Sequence, residues 1–356
     1  MNGKLKIKEI AAQTGLSIST VSRVLSGKFN TSENAKQRVM ACAREYGVLD
    51  DIASGRLLIN GIMVFAPSRA FDSRSDIFYY KVIQGLVNAL TPHEVRLRYC
   101  GLEENNSDAA LFLEKMNDPL TEAALLIGID DPYIHALAAD LGKPCILINS
   151  YDRKMRLPSV SPDHRLIGEV AMHYLIEQGH HNILNLVCLR RYTMEWRLQG
   201  IREALNAHNL PFDETCHLLL ANGFSAAESE RALTEFLAQC PEEKRPTAIL
   251  AGGDFMALGA MNALQRAGIR VPQDISIMSI DGFNLLALHD IPLTSLHVPR
   301  DELGEEAIRL LQQRLASPLR PASNILLHGT MALNASVKRL RASRTPARGD
   351  EEKLYD

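Results

Sequence analysis

The sequence predicts two architectures in series: a small all-α module at the N-terminus, then an α/β core of parallel sheets long enough for two lobes. Three observations predict this. Apolar residues recur at helical spacing through residues 5–46, in three short runs separated by turn residues. From residue 61 short β-branched or leucine-rich runs alternate with amphipathic helical stretches. Charge is also divided: residues 1–49 hold eight Lys/Arg against three Asp/Glu, while the 356-residue chain is −3 overall. A basic module on an acidic body points to a polyanion partner for the module alone; a solvated basic face is the competing reading.

The first helix carries Ile7, Ile10, Ala11 and Thr14 on one face, and Gly15 supplies a turn that tolerates positive φ. Ser17 is an N-cap for the second helix, whose Val21, Val24 and Leu25 point inward, with Gly27 as its stop. A third helix starts at Thr31 or Ser32 and runs to Tyr46, burying Ala35, Val39, Cys42 and Ala43. Two short helices around a glycine turn form a helix-turn-helix pattern, whose second helix must fit a major groove about 12 Å wide. Its outer face should therefore be slim and able to hydrogen-bond. In "GLSISTVSRVLSG", Ser19, Thr20 and Ser22 meet that demand, Arg23 supplies a forked donor for guanine or phosphate, and Ile18 offers an apolar contact for a thymine methyl.

In the core, "GIMVFAP", "VRLRYC", "AALLIGI", "PCILINS", "ILNLVCL", "CHLLLA", "TAILAGG", "DISIMSID" and "NILLHG" read as strands, nearly all separated by helical segments. Ligands in such folds bind beyond the carboxyl ends of the strands. The six cysteines show no CxxC pair and no metal-ligand spacing, so neither a disulfide framework nor a metal or cofactor is expected. No leader pattern and no run of eighteen apolar residues is found, which predicts a cytoplasmic protein without a membrane partner. The charged, proline-broken tail 338–356 is expected to be disordered. An enzyme would have to use Asp163, His164 or His180 as acid or base, but GxSxG, P-loop and GxGxxG signatures are missing, so no catalytic residue is assigned.

"IKEIAAQTGLSISTVSRVLSG" followed by "TSENAKQRVMACAREYG" resembles the N-terminal domain of the LacI/GalR family of bacterial transcription regulators. "VSPDHRLIGEVAMHYLIEQGHHNI", "WRLQGIREAL" and "GGDFMALGAMNALQRAGIRVPQDISIMSID" resemble blocks of the same family's core. The resemblance implies a DNA-binding domain at 1–48, a shortened hinge at 49–60 and a type I periplasmic-binding-protein-like core at 61–337. Lobe one would span about 61–160 and 292–322, and lobe two about 161–291 and 323–337. It further implies a homodimer on double-stranded operator DNA, controlled by a small-molecule effector between the lobes. Base contacts would fall to Ile18, Ser19 and Arg23, phosphate contacts to Ser17, Thr20, Ser22 and Asn30, and a minor-groove wedge to Leu57.

For the effector, the resemblance implies Arg197, Asn149, Asp281, Phe224 and Phe78, with Asp254 at the start of a helix. Arg191 and Thr193 in "RRYTMEWR" resemble purine-responsive members, whereas the mix of Asn149, Arg197, Asp281 and aromatic faces suits a sugar or sugar derivative, the preferred reading. The chain departs from the family in the linker "YGVLDDIASGRLL": Asp50 and Asp51 oppose phosphates and Gly55 weakens a short helix. It also has Gly253 where a pocket asparagine is common, and no heptad follows residue 335, which favours a dimer over a tetramer.

Overall fold

A computed structural model describes residues 3–25, 31–45, 57, 59–72, 76–93, 95–283 and 291–340. The chain divides into two compact units, one of Met1–His164, Arg191–Thr193 and Val298–Gly329, the other of Arg165–Arg190, Met194–His297 and Thr330–Asp356.

The first unit begins with the helical head: α1 (Gly3–Thr14), α2 (Ile18–Leu25) and α3 (Glu33–Glu45). Ile10, Val21, Val39 and Ala43 are wholly buried at its centre, joined by Ala11, Val24, Leu25, Met40 and Cys42. The turn between α1 and α2 places Gly15 at φ +63, where a side chain would be strained. It is closed by the Leu16 amide donating to Ala11 O at 3.1 Å and the Thr14 hydroxyl donating to Ile10 O at 2.6 Å. Ser17 Oγ accepts from the Thr20 amide at 3.0 Å and so caps α2. Of the two candidates for the third helix, Ser32 is the cap, accepting from the Ala35 amide at 3.3 Å.

The described strands are, in chain order, β1 (Gly61–Ala66), β2 (Arg96–Gly101), β3 (Ala123–Ile127), β4 (Cys145–Ile148), β5 (Ser159–Pro162), β6 (Ile183–Val187), β7 (Leu218–Leu220), β8 (Ala248–Ala251), β9 (Ser276–Asp281), β10 (Thr294–His297), β11 (Asn324–Leu327) and β12 (Thr330–Ala332). In the first unit they form one parallel sheet ordered β11-β5-β4-β3-β1-β2. The second unit repeats the plan as β12-β10-β9-β8-β6-β7, parallel except for β12. β1, β3, β4, β6 and β8 are buried along their whole length, as strands covered by helices on both faces must be.

Helix starts follow local chemistry. Asp76 accepts from the Tyr79 amide at the head of Ile77–Leu90, Asp131 caps Pro132–Asp140, and Ser225 with Glu228 forms a capping box on Ala226–Gln239. The helices Ile77–Leu90 and Arg300–Ala316 touch backbone to backbone at two glycines. A Cβ on Gly85 would lie 2.1 Å from Asp301 O, and one on Gly304 2.4 Å from Val82 O.

Two expectations are corrected. β10 pairs with β9 in the second sheet and β11 with β5 in the first, so the crossovers fall at Val298 and Thr330 rather than near 292 and 323. Tail residues 338–340 are anchored, not disordered: the Leu340 amide donates to Gln178 O at 2.8 Å, and His180 Nε2 donates to Lys338 O at 3.0 Å. Residues 341–356 lie outside the described residues.

Candidate nucleic-acid interface and ligand-binding residues

α2 buries Val21, Val24 and Leu25 and presents Ile18, 51% exposed, beside exposed Ser19, Ser22 and Arg23; Thr20 is half-buried. Ser17 Oγ lies 2.8 Å from both Ser19 Oγ and Thr20 Oγ1, and Arg23 Nε donates to Ser19 O at 3.3 Å. These contacts hold the side chains against the helix, leaving a narrow hydroxyl-rich ridge with one guanidinium, a shape and donor set that a major groove accepts. Asn30 lies outside the described residues.

Leu57, the residue expected as a minor-groove wedge, lies against the lobe in the chain without DNA. It is 5% exposed within the apolar cluster of β1 and the helices Ile77–Leu90 and Arg300–Ala316, and its amide donates to His93 Nδ1 at 3.2 Å. Acidic Asp50 and Asp51 give the linker no attraction to phosphates, whereas burial of a leucine beside Ile59 and Ile62 is favourable.

In the first unit, Asn149 follows β4 at φ +54. Its side chain is held between Tyr79, whose hydroxyl accepts from Nδ2 at 3.2 Å, and His164, whose Nε2 donates to Oδ1 at 2.8 Å. Arg191, 4% exposed, makes a two-pronged pair with Asp130 at 3.0 and 3.1 Å and donates to Asn149 O at 2.5 Å. The structure thus brings Asn149 and Arg191 together. Glu104 lies 3.6 Å from Arg191 and 2.5 Å from Arg69, which also binds Asp76 at 3.0 Å. Burial, with Glu104 adding repulsion, pushes the Asp130 carboxyl up, and burial also raises Asp76 and pulls the Arg191 guanidinium down. Thr193 is fully buried, and its hydroxyl has no hydrogen-bond partner among the described residues. Phe78 is half-buried against the lobe core, edge-on to Tyr79. Sequence reasoning missed Arg69, Asp76, Tyr79, Glu104 and Asp130; the available signal was a set of acids just past the ends of strands.

In the second unit, buried Arg197 donates from Nη1 to Gly252 O at 2.7 Å, with the Asp281 carboxylate favouring its charge against the cost of burial. Asp281 ends β9 at φ +122, a costly conformation for a residue with a Cβ. Asp254 is 2% exposed, accepts from the Phe283 amide through Oδ2, and has no hydrogen-bond partner for Oδ1 among the described residues. A Cβ on the neighbouring Gly253 would stand 3.0 Å from Asp281 Oδ2, so Arg197, Asp254 and Asp281 gather at the carboxyl ends of β8 and β9. Phe224, after β7, is half-buried with the Arg190 guanidinium 5.4 Å from its ring centre. Polar side chains buried at strand ends can exchange their internal hydrogen bonds for those of a polar ligand. Among the described residues no group of three or more His, Cys, Asp or Glu is placed to hold a metal ion, and no helix is long and apolar enough to cross a membrane.

Residues 6–47 match the model of bacterial regulatory proteins of the lacI family, and residues 172–337 that of a periplasmic binding protein-like domain. The chain is 26% identical over 339 residues to the HTH-type transcriptional repressor CytR of Escherichia coli K12, covering 94% of this chain and 96% of that one. It is 27% identical over 338 residues to the HTH-type transcriptional repressor PurR of Yersinia pestis Pestoides F, covering 93% and 96%. Among solved structures, the lac repressor dimer bound to operator and the anti-inducer ONPF shares the fold at a TM-score of 0.68 and 20% identity, over 93% of this chain and 98% of that one. A DNA-reading helical head on a periplasmic-binding-type core defines a ligand-responsive transcription regulator. The chain belongs to the LacI family of these bacterial regulators.

Proposed function

We propose that this repressor acts in the cytoplasm as a homodimer, reading a near-palindromic operator through Ile18, Ser19 and Arg23, with Ser17, Thr20, Ser22 and Asn30 on phosphates. The observation that carries this reading is the narrow exposed ridge of α2, which combines hydroxyls, one arginine and one isoleucine on the face opposite its buried Val21, Val24 and Leu25. Selection from random duplexes with the intact protein tests it: a mirrored consensus is expected, and enrichment without symmetry refutes the dimeric reading.

Phe78, Asn149, Arg191, Thr193, Arg197, Phe224, Asp254 and Asp281 are the proposed effector-binding residues, and a sugar or sugar derivative is the proposed effector. Buried carboxylates, amides and guanidinia at strand ends match the alternating donors and acceptors of a polyhydroxy ring. The fully buried Thr193 hydroxyl beside Arg191 favours a second reading, a purine, whose ring nitrogens would accept from both. A thermal-shift screen of carbohydrates against nucleosides and nucleobases separates the two.

A further inference from the structure

Glu122, just before β3, sits where three parts of the first unit meet. One carboxylate oxygen accepts from the ammonium of Lys36 in the first turns of α3. The other accepts from both the backbone amide and the side-chain amide of Asn60, at 2.9 and 3.1 Å, immediately before β1. The two sides of the ion pair are only 28% and 21% exposed, so water screens it less than an ordinary surface pair. In the same unit Ala316, the last residue of Arg300–Ala316, packs on the head's own apolar cluster. Leu57 is already buried in the lobe, which leaves the segment between head and core tied at its end by Leu57, Ile59 and Asn60. Ile18, Ser19, Ser22 and Arg23 lie on the exposed face of α2.

We propose that Glu122 is a positioning residue for DNA binding: its carboxylate docks the head on its own lobe through Lys36 and pins the linker exit through Asn60. The direction in which α2 presents its reading face is then set by a direct contact with the ligand-binding lobe. Reorganisation of that lobe reaches the DNA through this carboxylate. The proposal rests on the head being the DNA-binding element, but its test does not depend on operator symmetry.

Limited thermolysin proteolysis of the intact protein measures how often the head leaves the lobe, as the rate of scission between residues 46 and 60. Glu122→Lys sets like charges together and removes the one oxygen that accepts both Asn60 hydrogen bonds; scission is expected to rise about fivefold to tenfold. Adding Lys36→Glu restores the opposite charges but not the acceptor of Asn60, and the rate is expected to fall at least about twofold below that of Glu122→Lys without reaching the parent. Glu122→Gln, which folds under the mildest perturbation, is expected to fall between. On a duplex obtained by selection, Glu122→Lys lowers affinity and the double exchange recovers part of it. An unchanged scission rate in Glu122→Lys and Glu122→Gln overturns the proposal, as does a double exchange no slower than Glu122→Lys. Failure of the selection to return any consensus counts against the DNA reading instead and leaves the scission result to decide.

Discussion

Replacing Asp130 by alanine removes both carboxylate acceptors of a guanidinium that is 4% exposed. Breaking a buried ion pair from one side costs about 3–5 kcal/mol, because the remaining charge is left uncompensated in a poorly hydrated place. Arg191 keeps the Asn149 carbonyl at 2.5 Å and the Glu104 carboxylate at 3.6 Å, so the loss belongs at the lower end, about 3 kcal/mol. For a unit of this size that corresponds to a fall of roughly 6–12 °C in its Tm. The two units need not unfold together, so the assay is native-state hydrogen exchange at the amides of β3 and β4, which report the first unit alone. Combining Asp130→Ala with Arg191→Met removes the stranded charge and is expected to recover most of the stability while abolishing the effector response. A loss below about 1 kcal/mol in the single variant, or no recovery in the double, would show that the pair is not what holds this strand-end network together.

Three further outcomes are expected. Arg23→Ala should cost about 1–3 kcal/mol in operator binding and relax preference at one base pair per half-site, measured by competition among single-position operator variants; a uniform loss across all variants would assign Arg23 to phosphate instead. Leu57→Ala should destabilise the first unit by about 2–4 kcal/mol through the cavity it leaves, while binding of inosine-substituted operator centres stays unchanged relative to the parent. His180 is buried between Thr247 Oγ1 and the Lys338 carbonyl, both at 3.0 Å, and burial holds its imidazole below the ordinary value. The unfolded chain therefore takes up the proton first. Stability is full above about pH 6.5 and declines below it by up to roughly 1.4 kcal/mol per pH unit, a slope that His180→Gln should flatten in urea titrations between pH 5 and 7. His135 shifts in the same direction, so an unaltered slope in the His180 variant would assign the effect there.

What could be read from the chain was whatever is decided within one turn of helix or one strand. Runs such as "GIMVFA" and "AALLI" identify themselves as buried parallel strands because both faces must be apolar. Ser17, at a fixed distance from the Thr20 amide, identifies itself as a cap. β5 and β10 were not legible for the opposite reason. "SVSP" and "TSLH" are polar in composition, and the buried hydroxyls of Ser159 and Thr294 are satisfied by Asn324 Oδ1 and the Asn334 carbonyl, far along the chain, at 2.8 and 2.9 Å. Nothing local to either segment announces those partners.

The same limit explains which site residues escaped notice. Arg191 drew attention as a single residue, but its meaning changes once Asp130, 61 positions earlier, occupies two of its donors. Arg191 can then meet a ligand only with the donors that Asp130 and Asn149 leave, or by giving those contacts up, and each exchange costs part of what the ligand contributes. Leu57 shows the rule in reverse: its position suggested a wedge, yet a leucine is indifferent to which apolar surface covers it. With two aspartates and a glycine upstream, the lobe is the better cover, and the work of orienting the head passes to a polar contact that holds direction as a leucine cannot.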